Sequence, residues 1–220
     1  MANWFIGFPV SAEGSFERLS PPPDGVRLLV PADLHMTLAF LGPVEAPRAH
    51  RAFESLPCGT IGAFEIELGS IVPMGPPRRF SALSAQVGIL SADAPALLST
   101  LSSLRDGLLE VAGLAPDRRA MRLHVTLARL GKRASREERN RALAWAASEK
   151  LGTPRLRIDR VALFTAHRSG SAQASVRPPT PRAYDIIESH ELSVARDREQ
   201  REPLRPCDSC EKGSAPSGRE

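Results

Sequence analysis

Two octapeptides hold the residues best suited to chemistry. Residues 35–42 read His-Met-Thr-Leu-Ala-Phe-Leu-Gly, and residues 124–131 read His-Val-Thr-Leu-Ala-Arg-Leu-Gly. They agree at six of eight positions, 89 residues apart, in a chain with only five histidines. A duplicated half-domain accounts for such an echo, and its spacing is too long for a solenoid repeat. Both copies read as β-strands. Side chains alternate along a strand, so His35, Thr37 and Ala39 are expected on one face and Met36, Leu38 and Phe40 on the other. By the same parity His124, Thr126 and Ala128 oppose Val125 and Leu127. With the apolar set on a core, the two His/Thr faces converge on one cleft if the halves meet about a pseudo-twofold.

Two imidazoles and two hydroxyls in one volume suit phosphodiester chemistry. Opening a cyclic phosphate with water needs a base for the water proton and, across phosphorus, an acid for the departing ribose oxygen. Histidine titrates near neutral pH and can serve as either. Each proton transfer is worth roughly 100- to 10,000-fold in rate. Thr37 and Thr126 can donate to the nonbridging oxygens as charge develops there. Neither motif has a local His/Asp/Glu cluster at metal spacing, so no metal and no cofactor are expected.

The strings Leu34-His35-Met36-Thr37-Leu38-Ala39-Phe40-Leu41-Gly42 and His124-Val125-Thr126-Leu127-Ala128-Arg129 resemble the paired His-x-Thr-x motifs of the 2H phosphoesterase superfamily. Within it they are similar to the bacterial RNA 2′,3′-cyclic phosphodiesterases, also called 2′-5′ RNA ligases, from Trp4 to near Leu192. The resemblance implies an α+β fold, bilobal and pseudo-twofold, with two antiparallel sheets lining a central cleft and helices outside. It implies metal-independent hydrolysis of RNA 2′,3′-cyclic phosphate ends to 2′-phosphomonoesters, with His35 as proton donor and His124 as proton acceptor. It also makes Arg129 a phosphate partner, although strand parity sets it opposite His124, so a bulge or the strand's end must bring it round. The family usually has Pro before the second His and an aromatic upstream; this chain has Leu123 and the basic run 118–122. Alternatives are action on small cyclic nucleotides or 2′-5′ oligonucleotides, reversible 2′-5′ ligation, and an inactive RNA-end binding module.

The elements that must hold these groups follow from pattern. Trp4 to Phe8, Val26 to Val30, Leu34 to Leu41, Phe64 to Val72, Arg79 to Ile89, Leu123 to Leu130, Leu156 to Phe164 and Tyr184 to Leu192 read as strands. Ser11 to Leu19, Glu45 to Leu56, Asp93 to Val111 and Ser135 to Leu151 read as helices. The third carries a leucine stripe with Gly113 just past its end, and the fourth opens on a Ser135–Glu138 capping box. Strands that follow one another directly imply antiparallel pairing.

Residues 1–194 are read as one two-lobed domain and 195–220 as a disordered charged tail, because apolar residues nearly vanish there. Aromatics are 5% and apolar residues 42%, so the core is aliphatic. A net charge of +4 suits a polyanion without demanding one. Cys58, Cys207 and Cys210 are too few for a disulfide framework, and Cys207–Cys210 lacks two further zinc ligands. No signal peptide or membrane span is apparent, so a cytoplasmic monomer acting on RNA with a terminal 2′,3′-cyclic phosphate, without a membrane, is expected. His50, His167 and His190 have no echo and read as surface or strand residues. The pairs and runs Arg78-Arg79, Arg118-Arg119-Arg122 and Lys132-Arg133 read either as solvated loops or as contacts along an RNA backbone.

Overall fold

A computed structural model describes residues 2–166, apart from positions 12, 13, 15, 17, 58, 77, 132 and 153, and residues 182–193. The expected tail, Cys58, Cys207–Cys210, His167 and Lys132 lie outside the described residues. Nine strands and three α-helices are described. The strands are β1 (Trp4–Pro9), β2 (Val26–Leu28), β3 (His35–Gly42), β4 (Phe64–Met74), β5 (Ala82–Ile89), β6 (His124–Leu130), β7 (Arg155–Ile158), β8 (Arg160–Ala166) and β9 (Tyr184–Glu191). The helices are α1 (Ala46–Glu54), α2 (Ala94–Val111) and α3 (Arg136–Ser148).

All strand pairings are antiparallel, in the order β7-β4-β5-β6-β3-β1-β8-β9, with β2 added along β6. The two expected sheets are thus two halves of one sheet. They touch at a single pair, Met36 opposite Val125, after which β3 and β6 diverge. The strand expected over Leu156 to Phe164 is broken in two at Asp159. β7 forms one margin of the sheet and β8 lies beside the other, yet one residue joins them. One residue spans only a few ångströms, so the sheet curls until its margins meet. There Leu192 N–H donates to Asp159 O and Ala63 N–H to Ser193 O, at 2.7 and 2.8 Å.

The apolar sides of both halves face the helices and share one core. α1 and α2 cover the half built on β1, β3 and β8, while α3 covers β4. Local chemistry sets the helix ends. Ser135 accepts from the Glu138 N–H and the Glu138 carboxylate accepts from the Ser135 N–H, completing the capping box. After α2, Gly113 at φ +69° lets Leu114 N–H reach Leu109 O and its own N–H reach Glu110 O, the Schellman closure. Of the leucine stripe, Leu101, Leu108 and Leu109 are buried, and Leu98 is left exposed. The helix expected over Ser11 to Leu19 does not form among the described residues, which are turn and bend. Gly14, at φ +78°, already departs from helical backbone.

The register of β1 against β3 shifts between Ile6 and Gly7, opposite Leu38. There the backbones approach closely. A Cβ on Gly7 would stand 2.6 Å from Met36 O and 3.2 Å from Thr37 Cα. Gly7→Ala is therefore expected to destabilise the fold by about 1–3 kcal/mol, and Gly131→Ala, which meets nothing within 4 Å, by less than about 0.5 kcal/mol. Urea midpoints of the two variants would check this, and equal midpoints would refute it.

Candidate active site

Antiparallel pairing of Met36 with Val125 makes His35 the lateral neighbour of Thr126, and Thr37 that of His124. Lateral neighbours lie about 4.5–5.5 Å apart and point to one side of the sheet. The two motifs therefore come together as adjacent strands on the floor of the cleft, related by the twofold that any antiparallel pair possesses. His35 and Thr126 are buried, and Thr37 and His124 are half-buried.

Strict alternation fails one residue beyond each threonine. In β6, Ser84 pairs with Thr126 and Leu83 with Ala128, so Leu127 is an extra residue. In β3, Gly7 pairs with Thr37 and Ile6 with Ala39, so Leu38 is extra in the same way. A bulge puts two successive side chains on one face and inverts the parity that follows. Leu38 and Ala39 both enter the core, as do Leu127 and Ala128. The expectation that Ala39 and Ala128 share the histidine face is therefore corrected. Phe40, expected in the core, is 60% exposed on the cleft face. Arg129 likewise turns onto the cleft face, where its Nη2 donates to Tyr184 Oη at 2.7 Å. Its Nε is buried with no partner among the described residues.

Each histidine is fixed by the same device. His35 Nδ1 lies 2.7 Å from Asp33 O, and His124 Nδ1 lies 2.8 Å from Arg122 O. A carbonyl only accepts, so each Nδ1 carries the hydrogen and each Nε2 is left for chemistry. The accepting carbonyl sits two residues before the histidine in both copies, and the echo extends to this contact.

The surroundings of the two rings differ. His35 sits against Phe5 at 4.5 Å, Phe164 at 5.2 Å and edge-on Tyr184 at 4.9 Å between ring centroids. Phe5, Ala162 and Phe164 form a small second apolar cluster on the cleft side. Burial in it is the main cause that pulls the His35 pKa down to about 4; the bond to Asp33 O opposes this, and the charges of Arg129 and His124 reinforce it. Their mutual influence places His35, His124 and Arg129 in one electrostatic neighbourhood. Beside His124 a cavity of about 760 Å³ opens, lined by Val72, Met74, Gln86, Leu98, Met121 and Arg122. That size suits a nucleoside.

Several supporting residues carried no signal in the sequence reading. Ser84 Oγ lies 3.2 Å from Thr126 Oγ1 and orients it. The buried Asp33 carboxylate accepts from the N–H groups of Ala183 and Tyr184, at 2.8 and 3.2 Å, and so holds Tyr184 over His35. Polar residues at cleft-facing positions of apolar strands are the one trace they leave in sequence. The remaining described histidines lie elsewhere: His50 pairs with Glu188, and His190 stacks on Phe53. Arg119 is held by Asp117, and the buried Arg105 clamps their loop through the carbonyls of both. Among the described residues, no three His, Cys, Asp or Glu side chains gather around a possible metal position. No described helix is long and apolar enough to cross a membrane.

A histidine whose native pKa lies below its unfolded value stays neutral over a pH range in which the unfolded chain already binds the proton. His35 therefore contributes fully above pH 6.5, and its contribution is lost as pH falls towards 4. The loss amounts to about 3 kcal/mol. His35→Gln is expected to flatten the fall in unfolding free energy across that window by this amount, measured in urea at successive pH values. An unchanged slope would show that the ring is not buried as described.

Comparison with known proteins gives the fold and the family. No curated protein matches the chain. Among solved structures, Escherichia coli LigT complexed with 3′-AMP superposes with a TM-score of 0.54 at 20% identity, over 87% of this chain and 98% of that one. The Thermus thermophilus protein TT0787 superposes with a TM-score of 0.53 at 17% identity, over 88% and 100%. These likenesses show a shared fold, a strongly curled antiparallel sheet with few helices. Residues 8–170 match the family model described as the 2′-5′ RNA ligase superfamily. That span includes both histidine motifs, β2 and all three helices, and the chain belongs to the 2′-5′ RNA ligase superfamily.

Proposed function

We propose that this protein hydrolyses 2′,3′-cyclic phosphate ends of RNA to 2′-phosphomonoesters. The observation that carries the reading is the meeting of β3 and β6, where two imidazoles anchored through Nδ1 and two threonine hydroxyls share one face beside an arginine whose Nε has no partner among the described residues. A phosphate on this floor receives hydrogen bonds from Thr37, Thr126 and Arg129 on its nonbridging oxygens. The cavity beside His124 has room for the terminal nucleoside. Water adds to phosphorus as one histidine takes its proton, and the P–O3′ bond breaks as the other protonates O3′. The phosphate stays on O2′, and the next proton exchange with solvent restores both rings.

In this assignment His124 is the base and His35 the donor. Before substrate binds, burial holds His35 neutral, so its proton must arrive with the anionic substrate. A negative phosphate against the ring offsets the desolvation that disfavours imidazolium. The donor can be identified by its leaving group. From a cyclic phosphorothiolate with sulfur at the 3′ position, the 3′-thiolate leaves as the P–S bond breaks and needs no protonation. His35→Ala is expected to lose far less rate on it than on the oxygen substrate, and His124→Ala to lose equally on both. The reverse pattern would exchange the two roles.

The activity itself is tested with an oligonucleotide ending in a 2′,3′-cyclic phosphate, alongside a 2′-5′ linked dinucleotide and a free cyclic nucleotide. The expected product is the 2′-phosphate, formed equally well in EDTA. His35→Ala and His124→Ala are each expected to lower kcat by about 100- to 10,000-fold. Binding without turnover across the pH range would overturn the reading, as would strict dependence on an added divalent cation.

A further inference from the structure

Arg27 on β2 lies directly across from Arg129 on β6. Its neighbours Val26 and Leu28 oppose Leu130 and Ala128 and pack with the core, so the two arginines share the cleft face. Arg27 is exposed, and no hydrogen bond or ion pair engages it among the described residues. Like charges directly opposite on neighbouring strands repel and cost stability. Here the repulsion is left uncompensated, next to a buried guanidinium nitrogen that also lacks a partner among the described residues. A ligand with two anionic groups about one strand spacing apart would satisfy both arginines.

The pair lies beyond Thr126 along β6, whereas the cavity opens at the other end of that strand, beside His124. A chain ending in a cyclic phosphate has its further phosphates only on its 5′ side. We propose that Arg27 forms a second phosphate subsite, which takes the phosphate immediately 5′ of the reacting nucleoside. The preferred substrate is then a ribonucleotide carrying at least two phosphates and not a lone cyclic nucleotide. This rests on the hydrolysis proposed above.

The test compares three substrates: a nucleoside 2′,3′-cyclic phosphate, the same nucleoside with an added 5′-phosphate, and a dinucleotide with the cyclic end. For the unaltered protein the second phosphate, in either form, is expected to raise kcat/KM by about tenfold, the worth of one charge-assisted contact. The gain should shrink as salt rises. Arg27→Gln should bring the three substrates near parity. Arg51→Gln, which removes the same charge from exposed α1 on the helix side, should keep the gain. A gain that survives Arg27→Gln, or one shown by the dinucleotide alone, would overturn the inference, because the upstream nucleoside and not the phosphate would then be read. Turnover of all three at equal efficiency by the unaltered protein would sink this inference and leave the hydrolysis standing. No turnover of any would remove both.

Discussion

One backbone pairing organises the molecule. Met36 and Val125 are the sole register pair between β3 and β6, and both side chains are fully buried. They are the two positions where each motif inserts an apolar residue between its histidine and its threonine. Burying them from both strands fixes the register, since a slip of one residue would drive the apolar set out of the core and the polar set into it. The same pairing sets each histidine beside the other motif's threonine. The geometry of the candidate site and core packing are thus one constraint. The strands separate on either side of this pair, and that divergence makes the cleft.

The bulges at Leu38 and Leu127 do what regular strands cannot. A strand that alternates strictly would place Phe40 and Arg129 in the core, where a guanidinium would cost several kcal/mol. One extra residue in each strand sends a leucine and an alanine inward together and turns the next side chain back to the cleft. The twofold echo is kept in backbone and broken in chemistry: the equivalent positions hold an exposed aromatic in one half and a cation in the other. The asymmetry of the site comes from these two positions and from the aromatic cluster, which encloses His35 and leaves His124 half-open.

Much of this was legible in the sequence. The repeated octapeptide marked the residues that meet on the cleft floor, and the inserted apolar residues marked the core face. The α3 start was written in Ser135 and Glu138, and the α2 end in Gly113. What escaped was whatever depends on the partner strand. A bulge leaves no composition signal, because Leu-Ala is equally at home inside or outside. The need for one was visible in the placement of Arg129. The break at Asp159 reflects curling of the whole sheet, which no local window reports. Asp33 and Ser84 act through groups brought to them by tertiary folding, Asp33 from 150 residues away in sequence. The helix expected from Ser11 does not form among the described residues, where Gly14 holds left-handed backbone.

The electrostatics of the cleft are those of a site built to be completed by its ligand's charge. His35 is held neutral by burial beside Arg129, and Arg129 stands beside Arg27 with a nitrogen that has no partner among the described residues. Each of these costs the protein stability, and in the proposed complex a phosphate on the floor relieves them together. It favours the imidazolium, accepts from the unpaired donor and screens the two guanidinium groups from each other. In the proposed reaction the groups are coupled: weakening phosphate contact at Arg129 also withholds the proton that His35 is to carry. On that proposal binding and proton transfer are linked through the same few ångströms, and a neutral isostere of the phosphate would lose on both counts.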